Sequence, residues 1–252
     1  MYNYKLIISY DGSQYFGWQK TISGPSIEET LQTCLTTLLQ QKIILQAASR
    51  TDRGVHAYGQ VVNFFAVIKI PLSTFLFRLN QLLPKDIRAL SIKKVADSFH
   101  PTLDVLSKSY VYNIYNASYP SAFYHQYSWH IHENINIKKM ESESKSLIGN
   151  HDFSSFTNRK EQNNVREIYS INMQQKSKSL LQITVTGNNF LYKMVRNIVG
   201  SLVYVGCRKL LCYDLLSLLK AKDRKLAGVC APANGLFLQE IHYDQEKMYN
   251  DL

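Results

Sequence analysis

The chain has 252 residues, 45% of them hydrophobic, and its 29 Lys and Arg against 19 Asp and Glu leave a net charge of +10. That length and apolar content suit one large or two small globular domains with a sizeable core. The charge points to a polyanionic partner, because Lys and Arg release counterions when they meet phosphates.

Lys5–Tyr10 reads as a strand closed by the turn Asp11-Gly12-Ser13. Ser26 and Glu29 form a capping-box pattern ahead of Ile27, Leu31, Cys34, Leu35, Leu38 and Leu39, which share one helical face. Ile43–Ala48 and Val61–Val67 read as strands on either side of the loop Arg50–His56. Phe75, Leu79 and Leu82 mark a helix ended by Pro84, and Ile87–Val95 reads as the next strand. This first half is therefore β-α-β-β-α-β.

Allowing for one extra helix and a long insertion, the second half repeats the order. Ser109–Tyr115 alternates as a strand, and residues 137–148 read as a helix stopped by Gly149. Val165–Met173 and Leu180–Thr186 read as a strand pair. A strong apolar helix is expected over Phe190–Val205, a shorter one around Tyr213–Ala221, and a last strand over Leu236–Tyr243. The predicted class is α+β: two ferredoxin-like subdomains, 1–104 and 105–252, with antiparallel or mixed sheets forming a central cleft. The two segments carry +4 and +6, so the basic surface is expected to span both halves.

Cys34, Cys207, Cys212 and Cys230 make no C-x-x-C pair, which argues against a structural zinc site. His130-x-His132 has no acid or cysteine cluster nearby in sequence. Glycine-rich phosphate loops and a G-x-S-x-G elbow are absent from the sequence. The start is not that of a secretory signal, and the apolar run Ile198–Val205 is too short to span a bilayer, so a reducing cytoplasm is expected.

Three segments are candidates for chemistry. In Arg50-Thr51-Asp52-Arg53-Gly54-Val55-His56 a carboxylate lies between two arginines, beside a glycine that permits a tight turn. Cations keep a carboxylate ionised, although an Asp two residues before a Gly also suits an ordinary Asx turn. In Lys108-Ser109-Tyr110-Val111-Tyr112 the two tyrosines share one strand face, either as a packed pair or as a platform for a base. In Met194-Val195-Arg196-Asn197 an arginine interrupts an apolar helix and needs a partner or a path to the surface, with Asp52 as one candidate partner.

Taken together, these segments resemble the TruA family of tRNA pseudouridine synthases nearly end to end. The resemblance rests on Tyr10-Asp11-Gly12-Ser13, Tyr15-Phe16-Gly17-Trp18-Gln19, Arg50-Thr51-Asp52-x-Gly54-Val55-His56-Ala57 and Gly59-Gln60-Val61. It continues through Phe99-His100, Tyr110-x-Tyr112, Asp152-Phe153-x-Ser155-Phe156, Met194–Gly200 and Ala231-Pro232-Ala233-x-Gly235-Leu236. It implies an isomerase acting on the tRNA anticodon stem-loop, typically at positions 38, 39 and 40, as a homodimer without metal or cofactor. By the same resemblance Asp52 is the catalytic nucleophile, Arg50 helps displace the base and contacts phosphate, and Tyr110 stacks on the target uracil. Arg196 pairs with the aspartate and Leu236 packs under the base. Arg53 and His56 are further candidates for substrate contact.

Three departures from the family pattern stand out: Ser49 in place of a glycine, Arg53 in place of a small residue, and Pro101-Thr102-Leu103-Asp104 in place of an arginine-containing run. The last of these keeps open an alternative, an RNA-binding protein with an inactive or retargeted site.

Overall fold

The computed structural model describes residues 1–159 and 162–244. In chain order it contains β1 (Tyr2–Tyr10), α1 (Ile27–Leu39), β2 (Gln46–Ala47), β3 (His56–Ala66), α2 (Leu72–Leu82), β4 (Ile87–Val95) and β5 (Val105–Asn116). There follow β6 (Trp129–Ile131), α3 (Ile137–Ser144), β7 (Gly149–Asp152), β8 (Val165–Gln175), β9 (Leu180–Gly187), α4 (Met194–Gly206), α5 (Leu215–Ala221) and β10 (Leu236–Tyr243). The protein is thus mixed α+β, with mostly antiparallel strand pairs.

The chain divides into two compact units, Met1–Leu106 with the segment starting at Phe237, and Ser107–Leu236. The single boundary expected near Asp104 gives way to a chain that returns to its first unit at the end. The reason is a short parallel pairing, in which Phe237 and Leu238 of β10 lie opposite His56 and Ala57 of β3.

In the first unit β1 is the central strand. Its Leu6 pairs with Val62 of β3 on one side and Ile92 of β4 on the other, both antiparallel. Alternation then buries Tyr4, Leu6, Ile8 and Tyr10 on one face. Helix α1 buries Ile27, Leu31 and Leu35, and α2 buries Phe75 and Leu79 at the same i, i+4 spacing. The opposite sheet face is closed by a smaller cluster of Ala48, Val61, Val95, Phe99 and Tyr243.

Ser26 caps α1 as expected, its side chain accepting from Glu29 N at 3.2 Å. The reciprocal half of the box is replaced: the Glu29 carboxylate lies 2.8 Å from Lys20 Nζ. The strand expected over Ile43–Ala48 shrinks to Gln46–Ala47, which pairs with Asn63 and Val62. Ile43 and Leu45 are still buried, so their apolar alternation reports burial and not a ladder.

In the second unit β9 lies between β5 and β8, antiparallel to both, and β7 extends the sheet beyond β8. Three-residue β6 adds to β5 in parallel. Helix α3 packs on α4 and α5. The helix expected from Phe190 starts only at Met194, because Lys193 takes a left-handed φ of 60° and breaks the helical path. Expected helix 137–148 ends its α-helical part at Ser144 and continues as one 3-10 turn, with Gly149 at φ 105° where it stops.

Candidate functional site

The loop between β2 and β3 carries Arg50, Asp52 and Arg53, with His56 as the first residue of β3, and the first unit fixes it from several directions. Asp52 O accepts from Val55 N at 3.1 Å. With Gly54 at φ 77° in the third position, residues 52–55 form a tight turn that a side chain at Gly54 would strain. Asp52 is therefore held at the turn's first corner, half-buried, with Arg50 and Arg53 exposed on either side.

The residues flanking Asp52 are pinned by the N-terminal segment. Buried Thr51 meets Tyr10 through their hydroxyls at 2.8 Å, and Thr51 O accepts from Trp18 N at 3.0 Å. Gln60 donates to Ser49 O at 2.6 Å and to the Tyr10 hydroxyl at 3.4 Å. Ser49 N donates to Gln60 Oε1 at 3.3 Å, so Gln60 holds residue 49 by its main chain. Two glycines let the segments meet. A Cβ on Gly12 would stand 2.0 Å from Val55 O, and one on Gly17, whose φ is 101°, would stand 2.7 Å from Thr51 O. These contacts are the physical content of the Tyr10–Gln19 signature: it is a cradle for the Asp52 loop. Periodicity gave no hint of it, since the cradle consists of backbone approach across about forty residues of sequence.

His56, expected at the substrate, is 1% exposed and stacks on the Phe237 ring at 4.5 Å. Its Nδ1 lies 3.0 Å from Asp11 Oδ1 and 3.1 Å from Gly12 N. One ring nitrogen either donates to the first or accepts from the second, according to its protonation. Either way His56 ties the loop to the Asp11-Gly12 turn. Arg53 lies over the Phe16 ring at 4.1 Å, and Gly24 lies against that ring, where a Cβ would stand 2.5 Å away.

The departure at Pro101–Asp104 builds a self-closed turn. Asp104 Oδ2 accepts from His100 N at 2.7 Å, and His100 Nδ1 accepts from the amides of Thr102 and Leu103. Tyr243 donates to Pro101 O at 2.7 Å. Burial, with the nearby Asp104 charge, pushes the Tyr243 phenol well up, so it stays a donor.

The second unit carries Tyr110, Arg196 and Leu236. Tyr110 lies in β5 opposite Val185 of β9, buried, with its ring edge-on to Phe190 at 5.3 Å. Two residues on, Tyr112 is fully buried and donates to Pro232 O at 2.8 Å. Burial holds its phenol far above the ordinary value. Gly235 lies against the Tyr112 ring, where a Cβ would be 2.7 Å away. Tyr112 is thus an anchor for the segment 231–236 that ends in Leu236. Arg196, in the first turn of α4, donates from Nε to Ala231 O at 2.7 Å, so the same segment positions both Arg196 and Leu236. Gly200 and Gly228 make this possible by close approach: a Cβ on Gly200 would stand 1.7 Å from Val229 O.

Among the described residues no group of three or more His, Cys, Asp or Glu is gathered to hold a metal ion. His130 instead contacts Ala117 O at 2.8 Å, and His132 faces Glu133 at 3.6 Å. No helix among the described residues is long and apolar enough to cross a membrane.

A family model described as tRNA pseudouridine synthase matches residues 6–104 and 144–244. The chain is 50% identical to tRNA pseudouridine synthase A 2 of Protochlamydia amoebophila over 248 residues, covering 96% of this chain and 95% of that protein. It is 39% identical to tRNA pseudouridine synthase A of Ruminiclostridium cellulolyticum, covering 95% of this chain and 98% of the relative. It is 38% identical to tRNA pseudouridine synthase A of Thermoanaerobacter pseudethanolicus, covering 96% of this chain and 100% of the relative. The chain belongs to the TruA family of tRNA pseudouridine synthases, which are isomerases.

Proposed function

We propose that this enzyme converts uridine to pseudouridine in the tRNA anticodon stem-loop, at positions 38, 39 and 40, with Asp52 as nucleophile. The observation that carries the reading is the Asp52 loop itself. An acidic residue flanked by exposed Arg50 and Arg53 is fixed by a tight turn, by Trp18 N on Thr51 O and by two glycine contacts. That is how a nucleophile is preorganised.

In the proposed reaction the bond between C1′ and N1 breaks, the uracil rotates, and a bond forms from C1′ to C5. The C5 proton leaves and N1 takes up a proton, so the product is an isomer of the substrate with its conjugated base restored. Asp52 supplies the carboxylate that attacks the substrate, at base or sugar, and the bond it forms breaks again as the C1′–C5 product is completed, which returns the free carboxylate. Arg50 holds a phosphate and helps displace the base, and Arg53 adds a further backbone contact. Because the uridine must leave its stack to be reached, Tyr110 replaces the lost stacking and Leu236 packs beneath the base. Arg196 serves as counter-ion to Asp52. His56 acts by holding the loop, in keeping with its burial. The net charge of +10 supports a polyanionic substrate.

By the family resemblance the enzyme works as a homodimer, without metal or cofactor, in the cytoplasm. Its two halves are ferredoxin-like. The β-α-β-β-α-β order of the first unit and the place of β1 between β3 and β4 support that reading.

The test is to incubate unmodified tRNA transcripts with the enzyme and map pseudouridine by carbodiimide-dependent primer-extension stops. Stops at 38, 39 or 40 are expected. Stops elsewhere would show a retargeted isomerase. Tight tRNA binding with no stops would favour an RNA-binding protein with a silent site.

A further inference from the structure

We propose that Lys108 and Asn189 are positioning residues that set the ring of Tyr110 through Phe190. This deepens the role given to Tyr110 above and rests on it. Lys108 and Tyr110 are two residues apart on β5 and so project from the same face. Lys108 is 5% exposed, and its Nζ donates to Asn189 Oδ1 at 3.0 Å. The same Oδ1 accepts from Phe190 N at 2.9 Å. One oxygen therefore links the lysine to the main chain of Phe190, whose ring meets Tyr110 at 5.3 Å and 89°.

The rest of the turn is equally determined. Gly187 lies opposite Lys108 in the β5–β9 ladder, and a Cβ there would stand 2.6 Å from Glu167 O. Asn188 N donates to Glu167 O at 3.0 Å, and Asn188 Oδ1 accepts from Glu167 N at 3.1 Å. With Gly187 and Asn188 held to Glu167 of β8, the Lys108–Asn189 bond decides the placement of Phe190. Burying an ammonium for a merely structural turn is costly, since an apolar side chain would fill the space without desolvating a charge. A tyrosine that must present one face to an incoming base gains from such a clamp, because small displacements of a stacking partner cost rate.

The experiment measures single-turnover conversion with saturating enzyme, tRNA affinity by filter binding, and thermal unfolding. Lys108→Met and Asn189→Leu should each lower the single-turnover rate on the order of tenfold, with tRNA affinity changed less than about twofold. Asn189→Asp keeps the acceptor oxygen and should stay within about threefold of wild type. The double variant Lys108→Met/Asn189→Leu should be no slower than either single one, because both break one link. If Lys108→Met does not fold, the contrast of Asn189→Leu with Asn189→Asp carries the test. Wild-type rates in Lys108→Met and Asn189→Leu, with Tyr110→Ala inactive, would overturn the proposal and leave the role of Tyr110 standing. A wild-type rate in Tyr110→Ala would overturn that role and the proposal with it. A loss of tRNA affinity matching the loss of rate would mean that Lys108 binds phosphate, and would also overturn it.

Discussion

The Arg53 guanidinium lies 4.1 Å from the centre of the Phe16 ring, so the cation next to Asp52 is held by the N-terminal segment. An exposed cation–π contact of this kind contributes about 0.5–1 kcal/mol. Arg53 therefore has a fixed direction, and the charge it adds is presented on the rim of the loop. Arg53→Ala should destabilise the fold by less than about 1 kcal/mol in denaturant titrations. It should also lower the salt slope of tRNA binding by about one, as loss of a single phosphate contact does.

Backbone contact between the two segments leads to a stronger effect. Gly17→Ala places a methyl 2.7 Å from Thr51 O on a backbone with φ 101°. It should cost about 2 kcal/mol in urea unfolding. The rate should fall on the order of a hundredfold, because the loop bearing Asp52 must shift. Tight tRNA binding should survive.

Lys108 makes stability depend on pH in a defined direction. Burial, with Arg166 nearby, pushes its ammonium from 10.5 down to about 8. A lysine whose folded value is lowered costs stability below that value, where both states are charged. Between about pH 8 and 10.5 the unfolded chain binds more protons, so stability rises with pH. The cost at neutral pH is about 3 kcal/mol. Unfolding free energy measured from pH 7.5 to 10.5 should therefore rise in wild type relative to Lys108→Met, and a parallel pair of curves would contradict the assignment.

The turn at residues 100–104 is closed by its own hydrogen bonds, with Asp104 accepting from His100 N. Asp104→Ala should cost about 1 kcal/mol in thermal or denaturant unfolding. Turnover should stay within about threefold of wild type, which would show that the departure from the family run is a structural substitution.

Much of the fold is legible in the sequence because apolar alternation and i, i+4 spacing report burial directly. Ile87–Val95 and Leu236–Tyr243 are the strands found, end to end. The same logic overextended β2, because Ile43 and Leu45 bury their side chains without a pairing partner along the whole stretch. It placed the start of α4 four residues early, since the apolar pattern runs through a turn set by Asn189 Oδ1 and by the left-handed Lys193. Strands β6 and β7, of three and four residues, are too short to show a period. Within the site, the composition of the Asp52 loop was visible, whereas its supports were visible only as residues of the family signature, without their role. Gly12, Gly17, Tyr10 and Gln60 act through backbone proximity and buried hydroxyl and amide bonds, which leave no local pattern.

The central claim is that Asp52 is the nucleophile. The most direct measurement is release of tritium from tRNA labelled at uracil C5, comparing wild type with Asp52→Asn under single-turnover conditions. The variant keeps the side chain's size, and the Val55 N to Asp52 O bond that shapes the turn belongs to the main chain. Wild type should release the label, and Asp52→Asn should release none while still binding tRNA. Release by Asp52→Asn at the wild-type rate would contradict the account.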